Sequence, residues 1–168
     1  FFNNSALSFG AGMYVDGPLI IVASQIASNT ISGSAHGGGI YASSGATISG
    51  TTVISNVAGG NGGGLYATAS LAITNSQVSY NRSLGEGGGI RANGRLIMNG
   101  GEVRNNQAFT SGGGLSLLAG AEVSGTQFIS NSAGAGGGVA VLGGLTVDAG
   151  VPFSATNLRV TGNAALLG

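Results

Sequence analysis

Cysteine, lysine and tryptophan are all missing from this chain, and proline occurs only twice in 168 residues. Without cysteine there is no disulfide framework and no thiolate metal site. Without lysine a common base and phosphate partner is gone. The five basic residues are all arginine (Arg82, Arg91, Arg95, Arg104, Arg159) and are scattered along the chain. No basic stripe exists to attract nucleic acid. Charged residues make up 6% of the chain and its formal net charge is zero, where an average soluble domain is roughly a quarter charged. Such a surface is hydrated through Ser, Thr, Asn and Gln, and it favours association over colloidal repulsion. No apolar run reaches membrane-spanning length, and no charged segment followed by a hydrophobic signal core opens the chain. The sequence begins without Met, in the middle of a repeat, and reads as a processed mature protein or a piece of a longer one.

What is abundant is glycine, with 35 residues, and it is periodic. GGG occurs at Gly37–Gly39, Gly62–Gly64, Gly87–Gly89, Gly112–Gly114 and Gly136–Gly138, in steps of 25, 25, 25 and 24. A second mark, an apolar residue followed three positions later by asparagine, has the same period. It falls at Phe1/Asn4, Ile26/Asn29, Val53/Asn56, Val78/Asn81, Val103/Asn106, Phe128/Asn131 and Val160/Asn163. Two residues are inserted near His36, and a longer excursion near 148–157 stretches the last step to 32. A fixed period in this range is the signature of a solenoid, and a regular apolar register excludes a glycine-rich disordered linker.

Each repeat holds three short apolar segments. The first follows the glycines, as in Ile40-Tyr41-Ala42 and Leu65-Tyr66-Ala67; the second is typified by Leu71/Ile73 and, near the end, Leu145/Val147; the third carries the asparagine. The alternation is that of half-buried strands. Glycine costs a helix about 1 kcal/mol relative to alanine, so a triplet in every repeat excludes helical arrays. The expected fold is all-β: a single domain over 1–168, a parallel β-helix of about six rungs with three short strands per rung. Rungs are about 4.8 Å apart, so the rod is roughly 30 Å long. Residues one period apart lie above one another, and Asn4, Asn29, Asn56, Asn81, Asn106, Asn131 and Asn163 are expected to form a structural ladder. Asparagine tolerates the left-handed conformation of a corner, and is expected to take it here.

The alternation of GGG-apolar with F/V-x-x-N resembles the repeats of the chlamydial polymorphic membrane proteins. More broadly it is similar to bacterial surface and autotransporter passenger β-helices. The resemblance runs from Phe1 to Asn163 and implies a right-handed coil with a role in adhesion or display. The chain departs from the family in lacking a translocator barrel and in keeping phenylalanine only at Phe1 and Phe128.

Chemistry is sparse. The acids are Asp16, Glu86, Glu102, Glu122 and Asp148, and none is one period from another, whereas glycoside hydrolysis needs two carboxylates at one cleft. His36 is the only histidine, and one histidine does not make a zinc site. The glycine triplets lack the GK[ST] of a phosphate loop and the aspartates of calcium-binding repeats. Asn3 and Asn81 open N-x-S sequons. No catalytic, cofactor or metal residue is assigned. One outward column stands out: Tyr14, Tyr41 and Tyr66 on successive rungs, followed by Arg91, Ser116 and Ala140. It reads either as a self-stacking ladder or as a contact strip for a glycan, a host-surface ligand or a neighbouring subunit. The expectation is a non-enzymatic, extracellular or cell-surface protein, bacterial in character. Its partners are copies of itself stacked end to end in a filament, sheath or surface layer. The alternatives are a segment of a longer surface adhesin or autotransporter-type passenger, and a carbohydrate-active β-helix enzyme.

Overall fold

A computed structural model describes residues 1–142 and 154–165, which contain strands, turns and loops and no helix. The turn that starts at Leu65 is representative. Its strands are Leu65–Ala67, Leu71–Thr74, Gln77–Ser79 and Arg82–Ser83. Each pairs in parallel with its equivalents one period away: Leu65 with Ile40 and Ile90, Leu71 with Ala46 and Leu96, Val78 with Val53 and Val103, Arg82 with Val57 and Gln107. Repetition builds four parallel sheets, one of seven strands and three of six, into a β-solenoid of about five turns.

The turn therefore has four strands and not the expected three. The third apolar segment is broken in two at the asparagine corner, because the residue just before the asparagine takes a left-handed conformation. Ser28, Ser55, Tyr80, Asn105 and Ser130 have φ of 57°, 57°, 56°, 52° and 53°. The asparagine itself was expected to occupy that conformation, and does not. Its side chain is needed in the interior, so the residue before it absorbs the bend. A second correction concerns the last turn. The strand opposite Ala121–Ser124 is Ser154–Thr156, with Val123 facing Ala155, in the part of the chain read as a loop excursion. Asn157 follows it with φ 49°, as Asn75 and Gly100 follow the equivalent strands, so the corner sets the register. The expected strand at Leu145/Val147 and the acid Asp148 lie outside the described residues.

Inward side chains stack in columns of like size. Ile40, Leu65, Ile90 and Leu115 form one column; Ile48, Ile73, Met98 and Val123 form another; and Val53, Val78, Val103 and Phe128 a third, all buried. Sizes also change along a column: Phe128 follows Val103 in one, and Ala46 and Ala121 flank Leu71 and Leu96 in another.

The glycine triplet serves three different needs, as Gly87–Gly89 shows. Gly87 takes φ 64° at the corner. A side chain on Gly88 would bring Cβ closer than 3.0 Å to the backbone of Gln107 and Gly113 on the next turn. A side chain on Gly89 would press on Gly114 O and on the Asn106 amide, 3.0 Å away. The third glycine is therefore the seat of the next asparagine.

One inward position breaks the pattern. Ser83 lies between Ala58 and Ala108, and its buried hydroxyl has no hydrogen-bond partner. An orphaned buried polar group costs about 1–3 kcal/mol. Ser83→Ala is expected to stabilise the protein by about 1 kcal/mol, read as a higher denaturation midpoint in urea. A lower midpoint would show that the hydroxyl has a partner after all.

Candidate functional site

The seven asparagines meet in one continuous column. Asn4 Nδ2 donates to Asn29 Oδ1 at 2.8 Å, Asn29 to Asn56 at 2.8 Å, Asn56 to Asn81, Asn81 to Asn106 and Asn106 to Asn131 at 3.0 Å each, and Asn131 to Asn163 at 2.9 Å. Each Oδ1 from Asn29 onward also accepts the backbone N–H of the preceding asparagine, at 2.8–3.0 Å. The second Nδ2 proton bonds a carbonyl one turn back, as Asn81 does with Val53 O at 2.9 Å and Asn106 with Val78 O at 2.8 Å. All four side-chain positions of an interior asparagine are thus filled. Because a backbone N–H fixes which atom is Oδ1, all the amides point the same way along the axis.

A smaller ladder at another corner escaped the sequence reading. Ser24 N–H donates to Thr51 Oγ1 at 3.3 Å, Thr51 N–H to Ser76 Oγ at 3.1 Å, and Thr126 Oγ1 to Gly100 O at 3.0 Å. Thr51, Ser76, Gly101 and Thr126 recur at 25 residues, and the signal is legible once glycine is admitted as a gap in it.

The outward aromatic column is also continuous. Tyr14 stacks on Tyr41 with centroids 5.4 Å apart and planes at 18°, and Tyr41 on Tyr66 at 5.2 Å and 12°. Phe9 lies 4.7 Å from Tyr41, and His36 stacks on Tyr66 at 4.8 Å and 10°. The rings therefore spend their faces on one another. Tyr66 is buried, whereas Tyr14 is 53% exposed. This geometry favours the self-stacking ladder over a platform for sugar rings. Burial first, then Tyr66, Tyr14 and Asp16, push the Tyr41 pKa up, so its hydroxyl stays protonated.

Below Tyr66 the column turns polar. The buried Arg91 guanidinium pairs with Glu86 at 2.6 Å, donates through Nη1 to Ser116 Oγ at 2.6 Å and through Nε to Asn93 Oδ1 at 2.9 Å. Asn93 Nδ2 in turn donates to the Tyr66 hydroxyl at 2.8 Å. The sequence pointed to Arg91 and Ser116 but gave no reason to attach Glu86 and Asn93, which corner loops bring in. The other glutamates are also paired, Glu122 with Arg95 at 2.6 Å and Glu102 with Arg104 at 3.4 Å, and Asp16 accepts a hydrogen bond from Ser43 Oγ. Among the described residues no cluster of three metal-ligating side chains occurs.

Comparison with family models, with curated proteins and with solved structures yields no match to this chain.

The asparagine column makes a graded prediction. Asn81→Ala removes four buried bonds and orphans amide groups on both neighbouring turns. It is expected to cost about 3 kcal/mol or more. Asn4→Ala removes one side-chain bond at an exposed position and is expected to cost about 1 kcal/mol or less. Equal shifts of the two urea midpoints would mean that the column does not hold the turns together.

Proposed function

We propose that this chain is a non-enzymatic structural protein of an extracellular or cell-surface setting, bacterial in character, whose β-solenoid associates end to end with copies of itself. On this reading the coil winds right-handed, as nearly all strand–crossover–strand connections do, through six rungs. The observation that carries the proposal is the one-way polarity of the asparagine column. Each Oδ1 faces the earlier turn, and each backbone N–H and one Nδ2 proton face the later one. The two faces of a turn are therefore unlike and complementary, so a turn of one copy can pair with a turn of another as successive turns of the chain do. A contact between such unlike faces generates an open filament, and Leu7, Ile20 and Val22 add exposed apolar surface. The near absence of charge removes the repulsion that would oppose it.

A second reading, a segment of a surface adhesin or passenger domain, draws support from the exposed Tyr14 at the head of the aromatic column, where one ring remains open to a glycan or host-surface ligand. The carbohydrate-active alternative is the weakest, since the three glutamates are each engaged by arginine.

Electron microscopy of the native particle separates the two main readings. Continuous fibres of end-to-end chains with an axial spacing of about 4.8 Å are the expected result. Discrete short rods, or additional rungs from the same polypeptide, would defeat self-assembly and leave the adhesin segment.

A further inference from the structure

The only histidine does a job that the next turn gives to a different side chain. Along one edge of the aromatic column, two successive corner loops offer a side-chain acceptor to the backbone of the next turn. Asn61 Oδ1 accepts the N–H of Glu86 at 2.8 Å. One turn earlier the same role falls to His36, whose Nδ1 accepts the N–H of Asn61 at 2.9 Å. That bond requires the neutral imidazole with its proton on Nε2, because an imidazolium has two donors and no acceptor.

The loop that carries His36 contains the two-residue insertion, and its seat is prepared on the following turn. Gly60 N–H donates to Ala35 O at 2.8 Å. A Cβ on Gly59 would strike Gly33 O, and one on Gly60 would meet His36 Nδ1 at 2.5 Å. The imidazole stacks on Tyr66, and the Phe9 ring centre is 6.0 Å away. The loop backbone is held independently of the ring by Ser32 N–H to Ala6 O at 3.1 Å, Gly10 N–H to His36 O at 3.2 Å and Gly37 N–H to Asn61 O at 3.0 Å, whereas the ring itself has one bond, to the Asn61 N–H.

We propose that His36 is an acid-sensitive latch: as the neutral imidazole its ring is pinned by the Asn61 N–H over Tyr66, and as the imidazolium the ring leaves that seat and uncovers Tyr66. The surroundings decide the direction. Tyr66 lies against the ring, Tyr41 stacks beside it on Tyr66, and Asp16, bonded by Ser43, stands across the column. Phe9 contributes no charge. Arg91 is the cation on this face, and Glu86, which would attract an imidazolium, is already held by Arg91 at 2.6 Å. Burial and then Arg91 hold the His36 pKa below its ordinary value. The released ring thus binds a proton more readily than the seated one. Seating is fully favoured above about pH 6.5 and weakens as the pH falls toward the depressed value. In neutral surroundings Tyr66 is covered; in acid it joins the exposed Tyr14 as surface available to a partner.

The test is an NMR titration of the whole chain, following the His36 ring and the hydrogen-exchange protection of the Asn61 amide, corrected for the intrinsic pH dependence of exchange. The expected result is a His36 midpoint below about 6.5, with Asn61 protection falling by up to about tenfold per pH unit between about 6.5 and that midpoint and levelling off below it, while the amides of Asn81 and Asn106 stay protected. His36→Asn supplies a carboxamide acceptor like that of Asn61, and is expected to keep the Asn61 N–H bonded at every pH. A midpoint at or above 6.5, Asn61 protection unchanged through the titration, or the same acid loss in His36→Asn would each overturn the latch. The wild-type titration decides the matter even if the variant fails to fold.

Discussion

A buried amide column holds this molecule in register. Parallel strands of two to four residues contribute little alone, and a coil built from them slips unless something fixes the height of each turn. The asparagines do so by filling every donor and acceptor they carry, on the turn before and the turn after. The bonds lie in an interior of low dielectric, where a satisfied amide network is strong and a half-satisfied one is costly. A register shift of one residue would orphan several buried groups at once. That penalty makes the period strict.

Other features follow from giving the interior to these amides. The third glycine of each triplet exists so that the next asparagine can approach, and the left-handed residue before each asparagine exists so that its side chain can turn inward. The apolar columns can then vary, with Phe128 after Val103 and Ala121 after Leu96, because registry does not rest on their shape. The outer surface is equally economical. Tyrosine rings stack on one another, each glutamate finds an arginine, and little free charge remains. A surface of this kind resists neither its own copies nor a neutral partner.

His36 illustrates how a lone residue escapes sequence reasoning. Judged by ligand counting, a single histidine is inert. Its significance comes from the column in which it stands, above Asn61 and Glu86, where an acceptor is required. His36, Asn61 and Glu86 stand at 25-residue steps, but three different side chains fill them, so the repeat gives no sign of a shared role.

The sequence by itself determined the solenoid, the parallel stacking, the asparagine column and the tyrosine column. All of these are consequences of a period, and a period is visible in one dimension. Tertiary structure alone decided how many strands make a turn, which residue bends at the asparagine corner, and that Ser154–Thr156 pairs with Ala121–Ser124. It also decided that Arg91 gathers Glu86, Asn93 and Ser116 around Tyr66. These depend on backbone dihedrals and on loops folding across a face. The distances that matter there run between side chains, and no spacing along the chain records them.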